Sequence, residues 1–442
     1  MLWNDLKSKK IGIWGIDGKE GSAAFRALSR FVPTAQIIDI DESKLNRIYA
    51  CDIIIKSPGV SLYRNEIQNA QARNIQFVSG SSLFMANKRP QTQVIGITGT
   101  KGKSTTSALL YHVLQTANIN ASFGGNIGKP LLDFLSDETS NPPDIIVAEL
   151  SSYQCADFDG ICDMAILTNL FPEHLQWHRS HKQYYLDKCH MIQQAETAFV
   201  NGANQIISTH LPILSKASFF NTHDTFHLQD KFFYHRQQKL FPCSDLHLVG
   251  EHNAENACAV LSVANKLNIQ FNIIQQAFKT FKPLPHRLQI IGTFHGITFV
   301  DDSISTTPET ALAAVQSFDK GQFITLILGG YDRGQNYEKM IQILSNYRSR
   351  LHLITLPDTG VRIFKAAQSA DISATTVQTM AEAVSTAYQI TPTGGTVLLS
   401  PASPSYNAYR HFEERGLDFQ KQIALQKKAT HTNPSPIYKK TS

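Results

Sequence analysis

The stretch "QVIGITGTKGKSTT", residues 93–106, constrains the fold of this chain more than any other. The apolar run QVIGI passes into Gly99-Thr100-Lys101-Gly102, and Lys103-Ser104-Thr105 then open a helix-like segment. A buried strand, a glycine loop and a helix in that order gather unpaired backbone N–H groups and the positive end of the helix dipole, where an anion binds. The usual phosphate-loop expression has a glycine with four residues between it and the Gly-Lys pair. That place, position 97, is Ile here. The physics survives in the shorter loop: glycines admit phosphate oxygens, Lys103 can reach β and γ phosphates, and the Ser104 hydroxyl can ligate Mg2+. Residues Gly99, Thr100, Lys101, Gly102, Lys103, Ser104 and Thr105 are therefore expected to cradle a nucleotide polyphosphate.

The 442 residues suffice for three domains at roughly 150 residues each. Three segments alternate strand-like and helix-like patterns, so the expected class is α/β. Residues 1–89 open with "KIGIWGIDGKEGSAAFRALSRF", then "AQIIDID" and "CDIIIKSPGV", a Rossmann-like unit. Its glycines, Gly12, Gly15, Gly18 and Gly21, do not form GxGxxG. They either allow only a tight strand-to-helix turn or bring a nucleotide pyrophosphate to the helix N-terminus, with Asp39 at a ribose or base edge. After the polar "MANKRPQTQ", residues 90–285 hold the glycine loop, "PDIIVAELSSYQ", "CDMAILTNLFPEHLQWH" and "GEHNAENACAVLSVANKL", the pattern of a doubly wound sheet with its site at the carboxyl edge. A proline-rich joint, "KPLPHRLQIIG", leads into a third strand–loop–helix unit, residues 286–442, also Rossmann-like.

Glu149 closes the apolar "DIIVAEL", where a metal-binding carboxylate sits in phosphate-loop enzymes, although a carboxylate there can also cap a helix. His174 in "NLFPEHLQWH" lies beyond another strand end, and Lys188 follows on a helix; a lone histidine or lysine is more often structural or solvated than a ligand. Six cysteines without CxxC spacing point to reduced thiols rather than disulfides or zinc. No apolar run approaches the ~20 residues of a membrane span. The start, "MLWNDLKSKKIGIWG", does not read as a signal peptide, so a cytoplasmic protein without membrane insertion is expected. The net charge of +5 is diffuse and partly carried by the tail "KKATHTNPSPIYKKTS", expected to fray, which suggests small anionic substrates and no nucleic acid.

In family order, "TGTKGKST", "GGNIGKPL", "ELSSYQ", "TNLFPEHLQWH", "GEHNAENACA", "LPHRLQ", "DDSIS", "LGGYDRG" and "LLSPASPSYNAYRHFEERG" resemble the Mur ligases, ATP-dependent peptide-bond formers of peptidoglycan precursor synthesis. The likeness covers nearly the whole chain and is strongest to the glutamate-adding branch. It implies a UDP-sugar domain, a central ATPase and a C-terminal domain that brings the amino acid and closes over the site, in a chain expected to be monomeric. Carried over by position, Lys103 and Ser104 match the phosphate lysine and the Mg2+ hydroxyl, Glu149 the metal carboxylate, His174 a second Mg2+ ligand, and Lys188 the lysine that the family carbamylates. Asn253, Asn256, His286 and Arg287 match ATP contacts, and Asp302 a ribose-binding aspartate. Gly15, Gly18, Asp39, Ser57, Pro58, Gly59 and Asn126 are expected on the UDP-sugar side, and Arg333, Ser405 and Phe412 at glutamate.

The implied reaction passes from the carboxylate of UDP-N-acetylmuramoyl-L-alanine and ATP to an acyl phosphate and ADP, which the glutamate amine then attacks, releasing phosphate. No residue is assigned as the general base. Where enzymes for D-glutamate have a lysine after the Asp-Ser pair this chain has Ile304, and Arg333 stands for a second lysine. These departures resemble the branch that adds L-glutamate, with D-glutamate the alternative. A folylpolyglutamate synthetase-like ligase and a non-enzymatic nucleotide switch are the remaining classes; the second leaves His174, Lys188 and the third unit without work.

Overall fold

A computed structural model describes residues 1–135, 141–210, 217–248 and 250–432, so the end of the basic tail lies outside the described residues. By its internal contacts the chain divides into two compact units, Met1–Lys282 and Pro283–Ser442.

The first unit holds two parallel sheets. Strands β1 (Ile11–Trp14), β2 (Ile37–Ile40), β3 (Ile53–Lys56) and β4 (Gln76–Ser79) lie in the order β2-β1-β3-β4. All four residues of β1 and of β3 are buried, as expected of strands covered on both faces. Strands β5 (Gln93–Thr98), β6 (Ala121–Gly125), β7 (Ile145–Glu149), β8 (Met164–Leu167), β9 (Thr197–Asn201) and β10 (Ser218–Phe220) form the second sheet, in the order β10-β9-β8-β5-β7-β6. The doubly wound arrangement is thus present, and β5 lies between β7 and β8 where the strand order reverses. Ligands of open α/β sheets bind at such a point, outside the carboxyl ends of the strands.

A three-stranded antiparallel sheet that no sequence signal announced follows: β11 (Phe226–Gln229), β12 (Phe232–His235) and β13 (Gln238–Pro242). Two-residue hairpin turns usually declare themselves by Asn-Gly or Asp-Gly, because both residues need positive φ. Here Asp230 and Lys231 take φ of 48° and 63° without a glycine, so the turn was hidden.

The second unit is one sheet in the order β14-β15-β19-β16-β17-β18, with β14 (Gln289–Phe294) antiparallel to β15 (Ile297–Asp301) and the rest parallel: β16 (Ile324–Leu328), β17 (Leu351–Thr355), β18 (Ser373–Thr376) and β19 (Thr396–Leu399). Arg415, on the helix Phe412–Thr432, is 2% exposed and braces the carboxyl ends of three of these strands. Its guanidinium donates to the Ser303 carbonyl at 2.8 Å, the Ser403 carbonyl at 3.0 Å and the Ser303 hydroxyl at 3.0 Å, with the Gly329 carbonyl at 3.5 Å. Burial among these neutral acceptors pulls it down to about 10. Among the described residues no helix is long and apolar enough to cross a membrane.

Candidate active site

The loop after β5 turns on two glycines whose Cβ would collide. At Gly99, φ 151°, a Cβ would lie 1.9 Å from Thr168 Oγ1, and at Gly102, φ 80°, 2.4 Å from Asn256 Nδ2. Asn256, on the helix Glu251–Lys266, therefore sits directly against the loop, and Asn253 is buried on the same helix. Gly102 caps the helix Lys103–Thr116, whose first residues Ser104 and Thr105 are each 6% exposed. Thr100 bonds through its hydroxyl to Tyr184 at 2.8 Å, and Lys101 pairs with Glu173. The Asn169 side chain clips the loop, accepting from the Lys101 N–H at 2.8 Å and donating to the Lys101 carbonyl at 3.1 Å. Neither Asn169 nor Tyr184 was singled out from sequence. The signal for Asn169 was its place just past β8, which pairs with β5 in the register Thr98 to Leu167.

Lys103 and Lys188 meet on one carbonyl. The Lys103 ammonium donates to Gly99 O at 2.9 Å and Thr100 O at 3.0 Å, and Lys188 Nζ donates to the same Gly99 O at 2.6 Å. Lys188 is 2% exposed, so burial pushes it down to about 7, and the charge of Lys103 adds to the shift. Glu149 ends β7 in register with Ile97 of β5 and is 0% exposed. Its Oε1 accepts from Asn126 Nδ2 at 2.8 Å, while its Oε2 is buried with no protein hydrogen-bond partner. An orphaned carboxylate oxygen of this kind is costly unless a ligand or ion meets it.

His174 holds a left-handed backbone, φ 55°, and its side chain is 48% exposed. Burial of the rest of the ring lowers its pKa; Glu173 opposes the shift, and Lys188 and Lys103 reinforce it, which places His174 within reach of both charges. Residues 103, 174 and 188 thus share one electrostatic neighbourhood at the carboxyl edge of the sheet. Among the described residues no group of three or more His, Cys, Asp and Glu forms a metal cage. A buried carboxylate oxygen without a protein partner suits Mg2+, which keeps several waters and is bound jointly with phosphates.

At the first sheet, Gly15 and Ser57 lie together, the Ser57 hydroxyl donating to Gly15 O at 3.2 Å, with Gly18 at the start of the helix Lys19–Leu28. Asp39 ends near the same edge, but Lys44 holds its carboxylate at 2.8 Å. The Pro58 and Gly59 carbonyls both accept from Trp177. Asn126 follows β6 of the second sheet, and Lys19 reaches its carbonyl at 3.5 Å. Glu20 beside it takes Gln154 Nε2 at 3.4 Å, and burial raises its carboxyl to about 7.

Between the ordinary value of 4.5 and about 7, folded Glu20 keeps a proton that the unfolded chain has lost, so stability falls as pH rises through that window. Glu20→Gln, uncharged throughout, should melt higher than the parent at pH 8, on the order of 2 °C, and by less at pH 5. Thermal melts at the two pH values check this; an equal or lower midpoint at pH 8 refutes it.

In the second unit, His286 Nδ1 pairs with Asp301 at 2.7 Å. Asp302 is 3% exposed and accepts from Leu288 N at 3.1 Å and from the Ser305 and Ser400 hydroxyls at 2.5 and 2.8 Å. Burial raises it to about 6, and Arg287 opposes that weakly. Ser405 is buried, Phe412 opens the last helix, and the exposed Arg333 lies over the Tyr406 ring, 5.5 Å from its centroid.

Two family models match the chain: the Mur ligase middle domain over residues 97–264 and the Mur ligase, glutamate ligase domain over residues 286–403. A protein of Salinispora tropica named UDP-N-acetylmuramoyl-L-alanine--L-glutamate ligase is 34% identical, the match covering 96% of this chain and 99% of that protein. One of the same name from Xanthomonas campestris pv. campestris is 35% identical, over 95% of this chain and 96% of its own. Among solved structures, UDP-N-acetylmuramate-alanine ligase MurC from Thermotoga maritima gives a TM-score of 0.61 at 20% identity, covering 95% of this chain and 100% of that one. E. coli FolC in complex with DHPP and ADP gives 0.59 at 16% identity, over 78% of this chain and 92% of that one. At such identities the structural likeness speaks to the fold alone.

Proposed function

Because this chain belongs to the Mur ligase family of ATP-dependent amide ligases, we propose that it joins L-glutamate to UDP-N-acetylmuramoyl-L-alanine in peptidoglycan precursor synthesis, acting as a cytoplasmic monomer. What carries this reading is the agreement, along almost the whole chain, with relatives whose printed names state that ligation. The proposed division of labour is UDP-sugar binding by residues 1–89, ATP by 90–285 and glutamate by 286–442.

Two anions, a substrate carboxylate and the γ phosphate of ATP, must meet for an acyl phosphate to form. Gly99, Thr100, Lys101, Gly102 and Thr105 are proposed to line the polyphosphate, and Lys103 would neutralise the transferring group. Asn253, Asn256, His286, Arg287 and Asp302 are proposed at the rest of the nucleotide. Mg2+, when bound, neutralises charge on both reactants, and Ser104, Glu149, His174 and Lys188 are the residues proposed to hold it. For Lys188 this needs carbamylation. The uncharged amine attacks carbon dioxide, a C–N bond forms as one C=O π bond opens, and the nitrogen gives up a proton. The product presents an oxygen ligand, and its negative charge would settle beside Lys103, where an ammonium is disfavoured. Gly15, Gly18, Asp39, Ser57, Pro58, Gly59 and Asn126 are proposed for the sugar nucleotide, Asp39 only if Lys44 releases it.

Glutamate is assigned to Arg333, Ser405 and Phe412. The planar fork of Arg333 beside Tyr406, with the apolar Ile304 at the other position, supports a pocket shaped for the L enantiomer; the D enantiomer is the second reading. The test is ligation with L- and D-glutamate in parallel, following phosphate release with ATP, Mg2+ and UDP-N-acetylmuramoyl-L-alanine. L-glutamate should be faster by at least about tenfold. Equal rates would remove the stereochemical assignment, and turnover with a folate acceptor in place of the UDP-sugar would overturn the substrate.

A further inference from the structure

Trp177 and His178 end the helix Leu175–His178 and are 8% and 0% exposed, although His174 at its start is half-exposed. Both are tied to the loop 57–63 that follows β3. Trp177 Nε1 donates to the Pro58 carbonyl at 3.1 Å and the Gly59 carbonyl at 3.2 Å, and the Ser61 hydroxyl donates to the Trp177 carbonyl at 2.7 Å. The Arg179 guanidinium donates to the Tyr63 carbonyl. The Tyr63 hydroxyl reaches the two carboxylate oxygens of Asp187 at 2.7 and 2.8 Å. Asp187 adjoins Lys188 on the helix His181–Gln193, and its Oδ2 is 2.5 Å from His178 Nδ1. His178 Nε2 is in turn 3.0 Å from the hydroxyl of Ser152, just past Glu149.

Ser152, His178 and Asp187 have the hydrogen-bond order of a nucleophilic triad. Ser152, however, is 3% exposed and opens the helix Ser152–Ala156, so its hydroxyl offers no face to a substrate. The Asp187 carboxylate only accepts, and its donors are the Tyr63 hydroxyl, the Gln183 amide at 2.7 Å and His178 Nδ1. That requires a proton on Nδ1, while Nε2 meets the Ser152 hydroxyl. A buried chain of hydrogen bonds therefore runs from the loop through both helices to the end of β7, and breaking any member strands a buried polar group.

We propose that Tyr63, Asp187 and His178 are positioning residues that couple sugar-nucleotide binding at loop 57–63 to the placing of His174, Lys188 and Glu149. This rests on the function proposed above. A ligand that orders the loop orders the two helices with it, and each site then strengthens the other by the same factor.

The experiment is hydrogen–deuterium exchange on the full chain with and without UDP-N-acetylmuramoyl-L-alanine. In the wild type, ligand should slow exchange in residues 57–63 and also in 175–193. Tyr63→Phe keeps the ring that packs edge-on against Trp177 and deletes only the hydroxyl. It should retain protection of the loop while the ligand-induced protection of the helices falls about fivefold. The Mg2+ concentration for half-maximal phosphate release should rise by a similar factor, with kcat at saturating Mg2+ little changed, and His178→Gln should retain more coupling than His178→Ala. Helices protected equally in wild type and Tyr63→Phe, or a protected loop with unprotected helices in the wild type, would overturn the coupling. An unprotected loop in the wild type sinks the substrate assignment, and the coupling falls with it.

Discussion

Lys103→Ala is expected to lower turnover by about three orders of magnitude while leaving the thermal midpoint within about 2 °C of the parent. The lysine opens the helix Lys103–Thr116, and its ammonium rests on the Gly99 and Thr100 carbonyls, where a γ phosphate would come within its reach. Truncation removes a positive charge that can follow the transferring group as its negative charge redistributes, which is where binding energy counts most. The fold loses two hydrogen bonds from a half-buried side chain. It gains relief from the repulsion between Lys103 and Lys188, so the net change in stability is small. Phosphate release at saturating substrates, paired with a thermal melt, measures both. A folded variant that turns over at half the parental rate would refute the phosphate assignment.

Lys188→Ala should cost at least about two orders of magnitude in rate, with part of the loss recovered by millimolar formate or acetate. Its amine is enclosed between Thr98 and Gly99, and among the described residues no carboxylate is hydrogen-bonded to it. A buried lysine with no carboxylate bonded to it is a poor structural choice, and the low proton affinity forced on it by burial and by Lys103 is what carbon dioxide capture needs. Small carboxylates entering the space left by the side chain would supply the missing oxygens, which a purely structural lysine would not permit. Activity measured in carbon dioxide-depleted buffer, with bicarbonate restored afterwards, provides the control in the parent enzyme. A variant indifferent to carboxylates, together with a parent indifferent to bicarbonate, would eliminate carbamylation.

The strand–glycine loop–helix at residues 93–116 was legible because a strand, glycines, a lysine and hydroxyls in immediate succession have few other uses. Glu149 was legible for a related reason: a carboxylate closing an apolar run must meet something polar. Lys188 was opaque on its own, since most lysines are solvated, although Tyr184, Tyr185, Cys189, Met191 and Ile192 around it recur at helical spacing and mark an inward face. Asp187 lies among the same buried positions and was passed over, as was His178, because a partner far along the chain such as Tyr63 leaves no trace in local spacing. The inward turn of Asp302 was equally hidden: its partners Leu288, just before β14, and Ser400, just after β19, lie far apart in the chain.

The brace formed by Arg415 bears on how the protein can be handled. The helix that carries it also supplies Phe419 and Ile423 to the apolar interior and Gln420 to Asp301. Cutting the gene at residue 411 would remove a guanidinium that serves the ends of β15, β16 and β19 at once, and expression of such a fragment should yield insoluble material. Affinity handles and fluorescent fusions therefore belong after the last helix, with every residue through Ile423 retained.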